Sequence, residues 1–449
     1  MNYFYRFAAL ALLAAPIATA SSAGVPLPEV SAQNILAEIT FLAGGALRGR
    51  ASASPDEAIA AAYVASQFQS FGLRPAPGMS SYLQTVPLRR KVMSGDPVLT
   101  IGSAPVSGVS VVITAGGTLR GRAAIVSNPQ GRVPHADVLV YTGPIEKLAM
   151  VRRNALGKAK LILAAEGDVT KRYLERNGGK PVLRTTLEGA SADAGPVALA
   201  TLPAAVLAKI TPGTLVSLEV PVATVKASTT NVIAYLPGTD PKAGAILLSA
   251  HLDHLGVRPD GTVMPGANDD ASGTVAVIEL ARYFATGSKP RRSILFVAYG
   301  SEEIGELGSS WFGDHPPVPL DSIITNIEFE MIAAQDPKLP KGALMMTGSE
   351  RTTLFDLMKK NGAQVAPDPY HDQHFFERSD NYSIALKGVV AHTLSGWAEV
   401  PTYHQPTDTV ANLDIPFMTR AINSLLSPLQ VLASGEFKPE WKPGGRPKP

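Results

Sequence analysis

A chain of 449 residues exceeds one ordinary core and implies two or three domains. Hydrophobic residues at 45% against 17% charged argue against a disordered chain. A net charge of +2, with no Lys or Arg run interleaved with aromatics, argues against a nucleic-acid binder. There is no cysteine, so any metal must be held by His and carboxylate rather than thiolate.

The N-terminus reads as an export signal over residues 1–20. Arg6 supplies a positive start, Phe7 to Ile17 are apolar, and Ala18-Thr19-Ala20 has the A-x-A form of a cleavage site. The apolar run is too short to cross a bilayer core of about 30 Å, and no later run is long enough either. The expectation is a mature chain with no membrane span, sent to a bacterial periplasm or the extracellular space, where a cysteine-free enzyme is common enough.

Ser31 to Gly72 show apolar positions at three- and four-residue spacing and predict two helices. Pro55 and Asp56 open the second, and Gly72 sits where a stop belongs. From Val98 to Val225 the texture changes to short β-branched runs broken by Gly and Pro, among them VSVVI, AAIV, VLVY, LILAA, VALATL and LVSLEV. These predict a β-rich inserted domain over 98–225, with a short helix in LPAAVLAKI, between the two parts of another domain at 31–97 and 226–435. After Thr230, continuous apolar strands alternate with helices such as SGTVAVIELARYFATG. That alternation predicts an α/β fold: a mostly parallel mixed sheet with helices on both faces. The Pro- and Gly-rich tail, 436–449, predicts disorder.

Candidate ligands follow the apolar strands of the last part directly. AILLSA runs into His251 and Asp253, and PGANDDASG carries Asp269 and Asp270 before a helix. FVAYGS runs into Glu302-Glu303, NIEF into Glu330, and a late loop carries Tyr403-His404. In open α/β sheets, sites gather outside the carboxyl ends of strands, so separate segments converge on one edge. Several carboxylates there would repel one another without a cation. Imidazole and carboxylate donors suit zinc. A set this large exceeds one tetrahedral ion with an open position and suits two ions sharing a carboxylate. Of Glu302 and Glu303, one can bind metal while its neighbour faces substrate and moves protons. A lone H-x-D or Glu-Glu pair is ordinarily structural; the convergence carries the reading. Other histidines read as structural: His135 and His315 in loops, His254 as loop support, and His392 within a buried strand. His371, His374 and Arg378 are candidates to touch substrate, since substrate-binding residues often sit on loops.

The motifs SAHLDHLG, PGANDDASG, FVAYGSEEIGELGS, NIEFEMIA, ERSDNYSIALKG and TYHQPTDT, with ALRGR and TTNVIAYLPGTD, resemble those of the co-catalytic dizinc aminopeptidases and glutamate carboxypeptidases. The resemblance covers about 31–95 and 230–432, and the insertion resembles the protease-associated domain many of these enzymes carry. It implies the zinc-exopeptidase fold, peptide substrates and two zinc ions per chain. Asp269 would bridge the ions. Glu303 and His404 would complete one ion, His251 and Glu330 the other. Glu302 would be the general base, Tyr403 would donate to the developing oxyanion, and Asp253 would orient His251. Asp270 would support the site through a peptide bond to Asp269 that is often cis in relatives, and Arg378 would line the substrate pocket. Glu330 departs from the pattern, since most relatives carry Asp there; Glu328, on the same strand face, is the alternative. The activity implied is release of N-terminal residues by a zinc-activated water. A carboxypeptidase of the same fold, a glutaminyl cyclase and an inactive binding protein are the rivals.

Overall fold

A computed structural model describes residues 29–128, 130–190 and 197–448. The export signal expected over 1–20 lies outside the described residues. Both N-terminal helices form, over Ala32–Leu42 and Pro55–Ser70. Ser31 caps the first by accepting from the Gln33 amide, and Ser54 caps the second by accepting from the Glu57 amide. Pro55 occupies the first turn, where its missing N–H costs nothing, and Gly72 takes the left-handed conformation just past the end.

Two large sheets organise the chain. The first has ten strands. Its centre is parallel: Ser293–Tyr299, Ala245–His251, Ile323–Glu330 and Ala391–Ser395 lie side by side in that order. The flanks include antiparallel pairings, so "mostly parallel" describes the centre only. On one side the long strands Leu83–Met93 and Val222–Leu236 form an antiparallel ribbon, because one leads into the insertion and the other returns from it. On the other side the short strand Leu344–Met346 runs antiparallel to Ala391–Ser395, and Val365–Pro367 pairs with it in parallel.

The central strands are buried on both faces, which is why they read as unbroken apolar runs. Alternation sorts them between two cores. Ile246, Leu248, Ala250, Ile294 and Phe296 face the helices Ala32–Leu42, Pro55–Ser70, Gly273–Thr286 and Ile415–Ser434. Leu247, Leu295, Val297 and Tyr299 face Phe312 and Ile384, from the short helices Leu307–Asp314 and Asn381–Leu386. Each fully buried Leu, Ile or Phe contributes roughly 1.5–3 kcal/mol.

The second sheet has nine strands, all between Val98 and Val220. Val138–Tyr141, Leu161–Ala165 and Ala198–Leu202 form its parallel centre, and Leu99, Val140, Leu163, Val216 and Leu218 are in one of its cores. Two further features of this segment differ from the expectation. It also holds helices at Leu148–Asn154 and Asp168–Arg176. Its strand Thr185–Leu187 leaves the second sheet and pairs with Leu83–Met93 at the edge of the first.

The tail is a correction. Residues beyond 436 are not splayed into solvent. The Trp441 indole N–H donates to the Gly388 carbonyl at 3.0 Å, the Lys442 amide donates to Arg351 O at 2.8 Å, and Trp441 bridges to Thr352. Proline and glycine set the local backbone there, but one aromatic anchor with backbone partners outweighs that composition. Among the described residues, no helix is long and apolar enough to cross a membrane.

Candidate metal centre

The parallel strands deliver their ligands to one edge. His251 is the last residue of Ala245–His251, and Glu330 is the last of Ile323–Glu330. Glu302 and Glu303 follow Ser293–Tyr299 by a turn in which Ser301 adopts φ 57°. Asp269 lies in an irregular turn before the helix Gly273–Thr286, and the peptide bond between Asp269 and Asp270 is cis. A Cβ on Gly273 would strike the Phe329 carbonyl and the Asp270 carboxylate, so only glycine lets this turn approach the strand.

Two donor sets meet at Asp269. On one side, His251 Nε2 lies 3.4 Å from Asp269 Oδ1, and Glu330 joins them within 4.8 Å. On the other, His404 Nε2 lies 3.2 Å from Asp269 Oδ2 and 3.2 Å from Glu303 Oε2. A tetrahedral zinc with bonds of about 2.0–2.1 Å sets its donors about 3.3 Å apart, so these spacings fit zinc. His251 Nε2, Asp269 Oδ2 and Glu303 Oε1 are buried and make no hydrogen bond within the protein. Buried polar atoms of that kind call for a partner, and a cation between them supplies it. Glu302 Oε2 is 4.0 Å from His251 Nε2 and belongs to neither set, which leaves it free to carry protons.

The electrostatics agree. Burial opposes the charged form of His404, but the carboxylates of Asp269 and Glu303 outweigh it and push the imidazole up to about 10. Burial and Asp269 would raise the Glu303 carboxyl, yet His254 and His404 hold it down at about 2. Burial drives the Glu302 carboxyl well above the ordinary range; His251 opposes this and Glu303 adds to it.

Other residues singled out from the sequence take different places. The Asp253 carboxylate is 3.8 Å from His251 Nδ1, whereas the Asp253 main-chain oxygen is at 3.2 Å. Its carboxylate is occupied elsewhere: it accepts from the Glu302 amide at 3.0 Å, the Glu303 amide at 3.4 Å and the Ser52 hydroxyl. Asp253 therefore fixes the turn that aims both glutamates. Asp270 accepts from the amides of Gly273 and Met331 at 3.0 and 2.9 Å, tying the bridging turn to the strand that carries Glu330. Tyr403 stacks on the His404 ring with centroids 3.9 Å apart. Arg378 lies over the Phe375 ring and, with Glu330, Met345, Thr347 and Tyr403, lines a small cavity of about 30 Å³. Glu328 is fully buried, bonded to the Ser249 hydroxyl and outside both donor sets.

Three supporting residues carry no signal of their own in the sequence. The Arg50 guanidinium, completely buried, donates to the carbonyls of Leu252, Leu42, Pro265 and Gly266 at 2.6–3.1 Å and so ties together the loops that carry Asp253 and Asp269. Asp408 accepts from the amides of Asn268 and Asp269 at 2.9 and 3.1 Å. Glu57 accepts from the Ser301 amide at 3.0 Å. Arg50 and Asp408 stand inside ALRGR and TYHQPTDT, but nothing in those motifs announces partners hundreds of residues away.

Residues 231–427 match the family model described as peptidase family M28. This segment is a peptidase family M28 domain. Over its whole length the chain resembles an aminopeptidase from Aneurinibacillus sp. strain AM-1, with TM-score 0.59 and 20% identity, covering 90% of this chain and 94% of that one. It also resembles BSAP, a zinc aminopeptidase from Bacillus subtilis, with TM-score 0.56 and 18% identity, covering 92% and 98%. These likenesses establish the shared fold. Among curated relatives, the M28 domain is similar to a Mycobacterium tuberculosis protein named "Probable lipoprotein aminopeptidase LpqL", 28% identical over 41% of each chain. It is also similar to a vacuolar membrane protease of Kluyveromyces lactis, 29% identical over 40% of this chain and 19% of that one. The matches thus span less than half the length of these curated relatives.

Proposed function

We propose that the chain is an exported zinc aminopeptidase that releases N-terminal residues from peptides at a two-ion centre. The observation that carries the reading is the shared Asp269: each of its oxygens faces a separate His-carboxylate set, with Glu302 beside them and outside both. His251, Asp269 and Glu330 would hold one zinc ion, and Asp269, Glu303 and His404 the other. When bound, zinc polarises the substrate carbonyl and lowers the pKa of water. Glu302 takes the proton from the attacking water and hands it to the leaving amine. Its burial supports that role, because a carboxyl with a raised pKa returns a proton more readily than an exposed one.

The Tyr403 hydroxyl donates to the carbonyl oxygen as charge builds on it. The free N-terminal amine is bound by the carboxylates around Glu330, and the first side chain enters the small cavity lined by Arg378. The remainder of the peptide leaves through a cleft of about 880 Å³ between the sheets, bounded by His254 and Glu303 on one side and Met93, Val111 and Leu183 on the other. In this reading 31–97 and 226–435 form the peptidase, and 98–225 is a protease-associated-like domain that governs access. Residues 1–20 direct export.

The test compares one good peptide in three forms. Chelation abolishes hydrolysis and zinc restores it. N-acetylation blocks cleavage, whereas C-terminal amidation leaves it intact. Loss on amidation with survival on acetylation would replace this reading with a carboxypeptidase. Active protein with no bound divalent metal would end both.

A further inference from the structure

The sequence reads His254 as loop support, yet its ring is as fully enclosed beside the centre as that of His251. It is completely buried, and both ring nitrogens lack a hydrogen-bond partner within the protein. Its position is fixed: the His254 amide donates to Arg50 O at 3.0 Å, and a Cβ on Gly266 would run into the ring. Nδ1 lies 2.8 Å from Glu303 Oε1 and 3.8 Å from Asp269 Oδ2. Both atoms of the shorter contact are buried and without a hydrogen-bond partner, and His254, Asp269 and Glu303 present donor atoms that all lie within 4.8 Å of one another. His251 Nε2, 3.4 Å from Asp269 Oδ1, likewise has no hydrogen-bond partner. Buried nitrogen and carboxylate oxygen atoms left without partners call for one, and a shared cation supplies it.

The neighbouring ring agrees. His254 and His404 face the same pair of carboxylates, with centroids 5.7 Å apart and planes at 70°. His404 Nε2 meets Glu303 Oε2, while His254 Nδ1 meets Glu303 Oε1. Asp269 Oδ2 faces both rings.

We propose that His254 Nδ1 is a fourth protein ligand of the ion held by Asp269, Glu303 and His404. This rests on the two-zinc reading and makes the two ions unequal. One is enclosed by four protein donors, as closed zinc sites are. The other would have three, His251, Asp269 and Glu330, with Glu302 Oε2 4.0 Å from His251 Nε2. The enclosed ion binds tighter and resists chelators; the other exchanges.

The chain contains no cysteine, which gives a clean test. A His254→Cys variant puts a thiolate about where Nδ1 stands. Loaded with cobalt(II), it shows a near-ultraviolet thiolate-to-metal charge-transfer band that the wild-type cobalt protein lacks. In parallel, competition with a chelator follows metal release from the wild type and from His254→Ala. The expected result is a wild type with two ions of distinct affinity, and a His254→Ala variant whose tighter ion is weakened beyond the roughly 10–100-fold typical of a residue that merely supports a ligand. Two ions in the wild type, no charge-transfer band in His254→Cys and a tighter ion within tenfold of normal in His254→Ala would overturn the proposal while leaving the two-zinc reading standing. A wild type that binds no divalent ion would overturn that reading itself. If His254→Ala fails to fold, the band in His254→Cys decides alone.

Discussion

The two large sheets bury different things. Between 98 and 225 no Asp, Glu, His, Lys or Arg is buried among the described residues; the buried polar side chains there are Thr114, Thr170, Thr185 and Thr201. Hydroxyls of this kind are satisfied locally, as when Thr170 donates to the Gly167 carbonyl. The peptidase sheet and its helices bury Arg50, Glu57, His251, Asp253, His254, Asp269, Asp270, Glu328, Asp380, His392 and Asp408. Burying that much charge is costly unless partners or a cation compensate. One sheet therefore buries a nearly apolar interior, while the other devotes part of its interior to holding groups in positions they would not choose unaided. The chemistry belongs to the second kind.

Substitutions in the two sheets should separate these roles. Glu302→Gln keeps the size and removes the proton acceptor, so kcat should fall by roughly two to four orders of magnitude with metal content unchanged. Steady-state kinetics and elemental analysis on one preparation check it, and near-normal turnover would move the base elsewhere. Leu163→Ala, in the core of the other sheet, should cost about 2–5 kcal/mol of local stability. It should leave metal content and kcat untouched. If it released metal, the claim that the insertion's interior is independent of the site would fall.

A third pair of substitutions lies within the peptidase sheet. Glu330 ends its strand beside His251 and Asp269, whereas Glu328 is bonded to Ser249 two residues earlier. Glu330→Ala should lose one ion and keep the one held by His404 and Glu303. Glu330→Asp should retain part of the activity, because the carboxylate survives with shorter reach. Glu328→Ala should retain both ions. A zinc titration with the opposite result, Glu328→Ala losing an ion and Glu330→Ala keeping both, would transfer the role to Glu328.

The same contrast explains which residues are legible in the sequence. His251, Glu302, Glu303 and Glu330 each follow an apolar run closely, so the strand pattern places them at one edge, and Asp269 stands in the PGANDDASG motif before a helix. Arg50, Glu57 and Asp408 do comparable work, but through hydrogen bonds to residues such as Leu252, Ser301 and Asn268, far away in sequence. No local pattern encodes such pairs. The three-residue strands Leu344–Met346 and Val365–Pro367 are too short to show a period. The helix Asp168–Arg176, DVTKRYLER, has only nine residues, most of them polar, so its short apolar face does not stand out from the turns around it. His254 reads as loop support because a single histidine after H-x-D carries no signal of its own; its orphaned ring nitrogens are visible only in three dimensions.

The smallest effect concerns a buried ionisable group that takes no part in the site. His392 sits inside the strand Ala391–Ser395, fully buried, with Nδ1 donating to the Thr347 carbonyl at 2.8 Å and Nε2 accepting from the Thr352 hydroxyl at 2.7 Å. The bond at Nε2 requires the neutral ring, whereas the bond at Nδ1 survives protonation. Burial is the main reason its pKa falls to about 4; the bond to Thr347 works against that fall and Arg351 adds to it. The unfolded chain protonates this histidine near its ordinary value of about 6.5, so between those values the unfolded state binds more protons. Its contribution to stability is complete above the unfolded value and declines as pH falls toward the folded one. At pH 5 the loss should be about 2 kcal/mol relative to pH 7, from roughly 1.5 pH units at 1.36 kcal/mol each. His392→Asn keeps a donor near Nδ1 and cannot titrate, so the wild type's advantage over it should shrink by that amount between pH 7 and pH 5. Amide hydrogen exchange, corrected for intrinsic rates, should register the change in Ala391–Ser395. Leu161–Ala165, in the other sheet, should show no difference between the two proteins at either pH. An advantage independent of pH would mean that the His392 ring is solvated in the native state, and that burial in this sheet imposes less on its charged groups than the contrast between the sheets requires.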